Sequence, residues 1–262
     1  MSVSSARKSP SLITEPDEFA AMRRAGRLVA LAHRAVQRAI RPGINTLELD
    51  AIAEQVIVAG GGRPAFKGYS GFKHTICASP NEVVVHGVPN RRKLEEGDII
   101  AVDIGAVIDG HYGDSAWTYA VGAIDPEVQR LLDVTEASLY AGIARARAGV
   151  TMEEVSGAIE DVIAAAGFGI VRDYVGHGIG RVMHASPQVP NYRTGQAGPV
   201  LRAGQGLAIE PMVNMGTHEV VTKKDGWSIV TKDRRWSAHF EHTFIVGEGE
   251  ATITTATRNL LD

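Results

Sequence analysis

The sequence holds a single cysteine, Cys77, in 262 residues, which excludes an intramolecular disulfide. It has no run approaching the roughly 18 to 20 consecutive apolar residues of a membrane span. The N-terminus carries basic residues but lacks the apolar stretch of a secretion signal. It also lacks an excess of positive charge: the net charge is −3 and the pI near 6.3. No broad cationic field is available to hold a polynucleotide, which removes nucleic acid as the expected substrate. These absences predict a soluble, cytoplasmic protein.

An internal repeat is present. Leu94-Glu-Glu-Gly97-Asp-Ile-Ile-Ala101-Val102-Asp103 recurs as Leu201-Arg-Ala-Gly204-Gln-Gly-Leu-Ala208-Ile209-Glu210, each copy running from a turn into an apolar strand that ends on an acid. The register extends backwards, since Gly43-Ile44-Asn45-Thr46 answers Gly149-Val150-Thr151-Met152. A solenoid needs about three units to bury its faces. Two units therefore predict halves, about 13–122 and 123–250, paired around a pseudo-two-fold axis on which the strand-end acids converge. Residues 1–12 are polar and aperiodic and read as a mobile tail, leaving 13–262 as one domain.

Each half reads as helix, turn, helix, then strands. Thr14 with Asp17 resembles a helix cap, after which Phe19, Met22, Val29, Ala32, Val36 and Ile40 recur at helical spacing up to Pro42-Gly43. A second helix carries Leu49, Ile52, Ala53 and Val56 and stops at Gly60-Gly61-Gly62. Asp125-Pro126 opens the third, and Thr151-Met-Glu-Glu154 is a capping box for the fourth. Glu82 to Val85, Asp98 to Ile104, Tyr112 to Val121, Leu207 to Asn214 and Glu241 to Val246 read as strands. The predicted class is α+β, a curved antiparallel sheet covered on one side by two pairs of helices. A site belongs on the uncovered concave face.

Asp109-Gly110 is a two-residue hairpin signal. A turn there pairs Asp103 with Ala116 and sets Asp114 diagonally opposite Asp103 on the same face, roughly 7 to 8 Å away at the backbone. The repeat adds Glu210 and, on the next strand, Glu241. Four carboxylates on an apolar face repel strongly unless neutralised, and no Lys or Arg stands beside them except at turns. A divalent cation is the expected neutraliser. An oxygen-rich set with one imidazole, from Gly176-His177-Gly178-Ile179-Gly180, suits Mn²⁺, Fe²⁺, Co²⁺ or Zn²⁺. As a phosphate loop that glycine run fails, because Arg181 stands where the third glycine belongs. His33, His74, His218 and His242 read as solvated or structural, and His111 as a strand-surface residue with no role. Cys77 reads as a small core residue or part of a pocket wall.

At these residues the sequence closely resembles the bacterial-type (type I) methionine aminopeptidases, which have the pita-bread fold. The resemblance covers residue 13 to the C-terminus. It rests on Asn81-Glu-Val-Val-Val-His86-Gly-Val-Pro89, Asp103 with Asp114, Tyr174-Val-Gly-His177-Gly-Ile-Gly-Arg-Val-Met-His184, Ile209-Glu210-Pro-Met-Val-Asn214, Asp225-Gly-Trp227 and Phe240-Glu241-His-Thr243. It implies two divalent ions, with Asp103 mainly on one, His177 and Glu210 on the other, and Asp114 and Glu241 bridging. It further implies proton transfer by Glu210, a substrate contact by His86 near the scissile amide, and a donor role for His184 toward the developing oxyanion. An apolar pocket of Phe66, Tyr69, Phe72, Cys77, Met183 and Trp227 would take the methionine side chain, and a Na⁺ or K⁺ ion would sit near Asn81, Val83 and Ser237. Three features depart from common family forms: Phe66 where a cysteine is often found, Met183 in place of a phenylalanine, and Ala185-Ser186 in place of acidic residues.

The implied activity is removal of the initiator methionine from peptides and nascent chains whose second residue is small. A monomer and transient ribosome association are the implied physical state and partner. Two readings stand beside it: a proline-specific aminopeptidase or prolidase-like hydrolase, which normally carries an extra N-terminal domain, and a non-catalytic pita-bread binding module.

Overall fold

A computed structural model describes residues 9–256 of the chain. Helix α1 spans Pro16–Ala39, with proline at its first position, where a missing N–H costs nothing. The Glu18 carboxylate turns back to accept the Thr14 and Glu15 N–H groups at 3.0 and 3.2 Å. The cap is therefore built on Glu15 and Glu18, one residue on from the expected Thr14 and Asp17. Helix α2, Thr46–Ala59, starts on Asn45, whose side-chain oxygen accepts from Leu47 and Glu48 N–H. Helix α3, Pro126–Arg145, starts on Asp125. Helix α4, Met152–Ala166, starts on the Thr151/Glu154 box and stops at Gly167, which has φ 76°.

The strands Ile99–Ile108 and His111–Ala120 form a hairpin turned by Asp109 (φ 51°) and Gly110 (φ 72°). Its register pairs Asp103 with Ala116 and Gly105 with Asp114, so both acids face the same side. Ile76–Pro80 pairs along the other edge of Ile99–Ile108. In the second half Gly206–Ile209 lies between His242–Ile245 and Gly176–Gly178. The antiparallel layer is divided into four hydrogen-bonded sheets among the described residues. One division falls inside the strand expected from Leu207 to Asn214, which breaks at Glu210-Pro211 into Gly206–Ile209 and Met212–Asn214. Pro211 has no N–H for a ladder, and the break frees Glu210 from strand pairing.

α1 and α2 bury Val29, Val36, Leu49 and Ile57 against Ile100, Val102 and Ile104. α3 and α4 bury Leu131, Leu139, Ile159 and Ile163 against Leu207, Ile209 and Phe244. With one face of each of these two strand groups under helices, the other faces the cleft. The halves are joined at a polar seam. Glu241 N–H donates to Ala116 O at 2.8 Å, Ser115 Oγ donates to Glu241 O at 2.6 Å, and Thr243 Oγ1 both accepts from Asp114 N–H and donates to Asp114 O. Two metal-ligand candidates from different halves are thus fixed to one another through the backbone.

The tail expected over residues 1–12 is packed in the part the structure describes. Residues 1–8 lie outside the described residues, but residues 9–12 pack: Ser11 is buried and Leu12 bridges Gln205. Pro10 O and Ser11 O accept from Arg181 and Gly206 N–H, which ties this segment to the loop carrying Met183 and His184.

In the first half helix and sheet approach closely at Gly113, where a Cβ would stand 2.8 Å from Gly26 N in α1. Gly113→Val should therefore lower stability by about 1–3 kcal/mol or more, since the obstacle is backbone. Urea unfolding measures it, and a wild-type midpoint would refute the packing described.

Candidate metal centre and active-site cleft

The concave face holds a cavity of about 720 Å³, including its mouth. Asp103, Asp114, His177, Glu210 and Glu241 all line it, as do His86, His184 and the six expected pocket residues. Asp103 and Asp114 come from the first hairpin. Glu241 stands just before His242–Ile245, and the His242↔Ile209 pairing sets it opposite Glu210. In the first half the two acids are diagonal; in the second they face each other directly.

His177 is held between glycines whose missing side chains are structurally required. A Cβ at Gly176 would lie 2.4 Å from Ala208 O, and one at Gly178 would lie 2.3 Å from Ser186 O. Its Nδ1 lies 3.0 Å from Gly178 O. A carbonyl only accepts, so Nδ1 carries the hydrogen and Nε2 presents its lone pair to the cleft. Ligand atoms of Asp114, His177 and Glu241 lie within 4.8 Å of one another.

The electrostatics are those of a site built for cations. Burial, then the neighbouring acids, raises Asp103, Glu210 and Glu241 well above the carboxylate range. Burial pushes Asp114 up to about 7, against hydrogen bonds from Asp103 and the Ser115 amide. His177 is lowered to about 4 by burial and by His184. Oxygens of Asp103, Asp114 and Glu241 are buried without any hydrogen-bond partner. Such orphaned acceptors are rare in folded proteins. A divalent cation satisfies all of them at once, and the donor set fits one.

Phe66, Phe72, Cys77 and Met183 form a buried cluster with Trp227 against it. Phe72 and Trp227 rings meet edge-on at 5.0 Å. Phe66 fits because residue 105 is glycine, where a Cβ would come within 2.6 Å of the ring. Trp227 N–H is held by Asp225 Oδ1 at 2.9 Å. Tyr69 does more than line the wall, since its hydroxyl lies 2.9 Å from His184 Nδ1. His86 sits at φ 57°, rare for a residue with a Cβ, and packs edge-on to Tyr174 at 5.6 Å.

Asn81 and Ser237 are also brought together, with Ser237 N–H donating to Asn81 O at 2.9 Å, and Val83 starts the next strand. The Asn81 side chain donates to Asp98 Oδ1 and accepts from Ile99 N–H, and the Ser237 hydroxyl donates to Val213 O. His111 is buried beside Asp109 O rather than lying on a strand surface, because it closes the hairpin end under α1. Sequence reasoning missed His239. It is buried, lowered to about 3 by burial and then by His86, and its Nε2 lies 3.8 Å from Glu210 Oε2. Its position two residues before Glu241 was the available signal.

Five acid and imidazole side chains with the chemistry of metal ligands line one cleft, and residues 20–248 match metallopeptidase family M24. The chain belongs to that family. It is similar to methionine aminopeptidase 1 of Bacillus subtilis, 49% identical over 240 residues covering 92% of this chain and 97% of that one. The crystal structure of a methionine aminopeptidase from Thermotoga maritima superposes with a TM-score of 0.91 at 45% identity, covering 93% of this chain and 98% of that chain. A prolidase from Pyrococcus furiosus shares the pita-bread fold (TM-score 0.76, 22% identity), but this chain spans only 66% of it.

The buried acids set a pH dependence. The folded-state value of Asp114 lies above its unfolded value, so its contribution to stability is full below about pH 4 and is lost as pH rises through about 7. In metal-free protein Asp114→Asn should therefore gain on wild type as pH rises from about 4 to 7, by up to roughly 4 kcal/mol. Chemical denaturation across that range measures the gap. A gap that stays constant or narrows with pH contradicts the assignment.

Proposed function

We propose that this chain removes the initiator methionine from peptides and nascent proteins whose second residue is small. The observation that carries the reading is the joining of the orphaned carboxylates to an apolar pocket of methionine's chemistry in one cavity. High similarity to methionine aminopeptidases over almost the whole chain supports it, whereas the likeness to prolidase, at 22% identity, is one of fold alone. We take 13–262 as one catalytic unit, monomeric and cytoplasmic, with ribosome association transient. No helix among the described residues is long and apolar enough to cross a membrane.

Two divalent ions are proposed, with Asp103 on one, His177 and Glu210 on the other, and Asp114 and Glu241 between them; Co²⁺, Mn²⁺, Fe²⁺ and Zn²⁺ all suit the donors. When bound, such ions supply Lewis-acid polarisation of the scissile carbonyl and make water acidic at neutral pH. The residues do the rest. Phe66, Tyr69, Phe72, Cys77, Met183 and Trp227 enclose the thioether side chain, where sulfur and aromatic surfaces attract. Glu210 takes a proton from water at a carboxylate oxygen and returns it to the leaving amine. His86 contacts the substrate near the scissile amide. His184 donates from Nε2 to the developing oxyanion, which requires its Nδ1 to accept from the Tyr69 hydroxyl 2.9 Å away. A Na⁺ or K⁺ ion near Asn81, Val83 and Ser237 completes the proposal.

One experiment tests class, substrate and cofactor together: Met-Gly-type and Xaa-Pro peptides offered to metal-stripped protein, with each divalent ion re-added separately. Metal-dependent release of methionine is expected, whereas cleavage of Xaa-Pro alone would overturn the substrate. Asp114→Asn and Glu241→Gln should abolish turnover; near-wild-type rates in both, under controlled metal, would exclude the bridging roles.

His184→Ala should lower kcat by about a hundredfold with bound metal unchanged, because its role is on the transition state. Stoichiometric metal loss in that variant would instead make His184 a ligand.

A further inference from the structure

Glu210 is bracketed by two imidazoles that face opposite oxygens of its carboxylate. His177 Nε2 lies 3.6 Å from Oε1 and His239 Nε2 lies 3.8 Å from Oε2. The two rings differ in what they present. His177 gives its hydrogen to Gly178 O, so its Nε2 and Glu210 Oε1 are two lone-pair donors turned toward one space, an arrangement suited to a shared cation. His239 Nε2 has no hydrogen-bond partner and is buried. A lone pair there would oppose a carboxylate oxygen in a site of low polarity, whereas an N–H would attract it.

The ring is aimed by a rigid frame. Ser237–His239 pairs antiparallel with Met212–Asn214, with His239 opposite Met212, two residues beyond Glu210. Thr118 Oγ1 pins the His239 backbone on both sides, accepting its N–H at 2.9 Å and donating to its carbonyl at 2.8 Å. Asn191 Nδ2 holds the Glu210 carbonyl at 3.1 Å, so backbone on both sides of the contact is fixed and only the carboxylate is left to orient.

We propose that His239 is a positioning residue for Glu210: its Nε2–H holds Oε2, which leaves Oε1 turned toward His177 and the cleft. The proposal rests on the reading of Glu210 as metal ligand and proton carrier. It assigns the two oxygens different duties, Oε1 to the cation and Oε2 to an anchored state that limits rotation of the carboxylate. A carboxylate so oriented binds its ion more tightly and presents its proton site at a fixed place.

The test is Mn²⁺ binding to metal-stripped protein by calorimetry, together with kcat and KM on a methionyl peptide, for His239→Leu and His239→Gln. His239→Leu should keep the number of Mn²⁺ bound but weaken one equivalent by about 10- to 100-fold, with kcat reduced and KM nearly unchanged. His239→Gln, whose amide still donates, should recover most of both. Should His239→Leu not fold, His239→Asn, whose shorter amide falls short of Oε2, replaces it in the comparison. Wild-type Mn²⁺ affinity in the folded Leu or Asn variant overturns the proposal. So does equal impairment of the Gln variant, or complete loss of one Mn²⁺, which would make His239 a ligand itself. Absence of Mn²⁺ binding by the wild-type protein would instead remove the metal reading of Glu210, a distinct result.

Discussion

Mutual repulsion among buried carboxylates is the constraint on which the rest of this structure depends. Asp103, Asp114, Glu210 and Glu241 face one cavity, and three of them carry buried oxygens with no hydrogen-bond partner. Such a cluster persists in a folded chain only when the frame around it is rigid enough to prevent its relaxation. The seam supplies that rigidity. Thr243 grips both backbone groups of Asp114, and Ser115 grips the carbonyl of Glu241. Energy spent in holding the acids together without a cation is recovered when a divalent ion neutralises them, so affinity for metal and strain in the metal-free fold have one origin.

The duplication explains how the acids come to meet, but the halves are not copies in detail. In the first hairpin an unbroken ladder of ten residue pairs sets Asp103 and Asp114 diagonally. In the second, Pro211 interrupts the strand directly after the acid, and Glu210 and Glu241 stand opposite one another at the end of the ladder. Direct opposition brings the backbones closer than a diagonal does. The pairs are thus inequivalent in reach and in freedom, with Glu210 outside any strand. A group that must both bind and move a proton gains from that freedom, provided something else restrains its orientation.

Much of this was legible in the sequence because the signals were local. Asp109-Gly110 fixes the hairpin turn, and the turn fixes which residues oppose Asp103. Asp125-Pro126 and the Thr151/Glu154 box mark the starts of α3 and α4 correctly, while that of α1 shifts by one residue because Glu18 outcompetes Asp17 for the free amide groups. What the sequence hid depends on contacts between distant segments. Nothing local to Ser9–Leu12 distinguishes it from a free tail, since its partners are the amides of Arg181 and Gly206. The bearing of His239 on Glu210 appears only once Ser237–His239 is paired with Met212–Asn214. The division of the layer into four sheets follows from breaks whose consequences appear only once strands are paired.

Tyr69 shows how pocket and chemistry are joined. As an aromatic wall residue it belongs to side-chain recognition, yet its hydroxyl meets His184, whose ring lies 4.3 Å from that of His177. Under the proposed function, a side chain seated in the pocket would meet Tyr69, in the short segment Tyr69–Gly71, whose hydroxyl faces His184 Nδ1. That segment holds Ser70 at φ 48° between two glycines of positive φ, a backbone shape with few alternatives. Filling the pocket and orienting the proposed oxyanion donor would then act through one residue, Tyr69. In that reading, binding energy from the methionine side chain would be made available where the peptide bond breaks, as efficient catalysis requires.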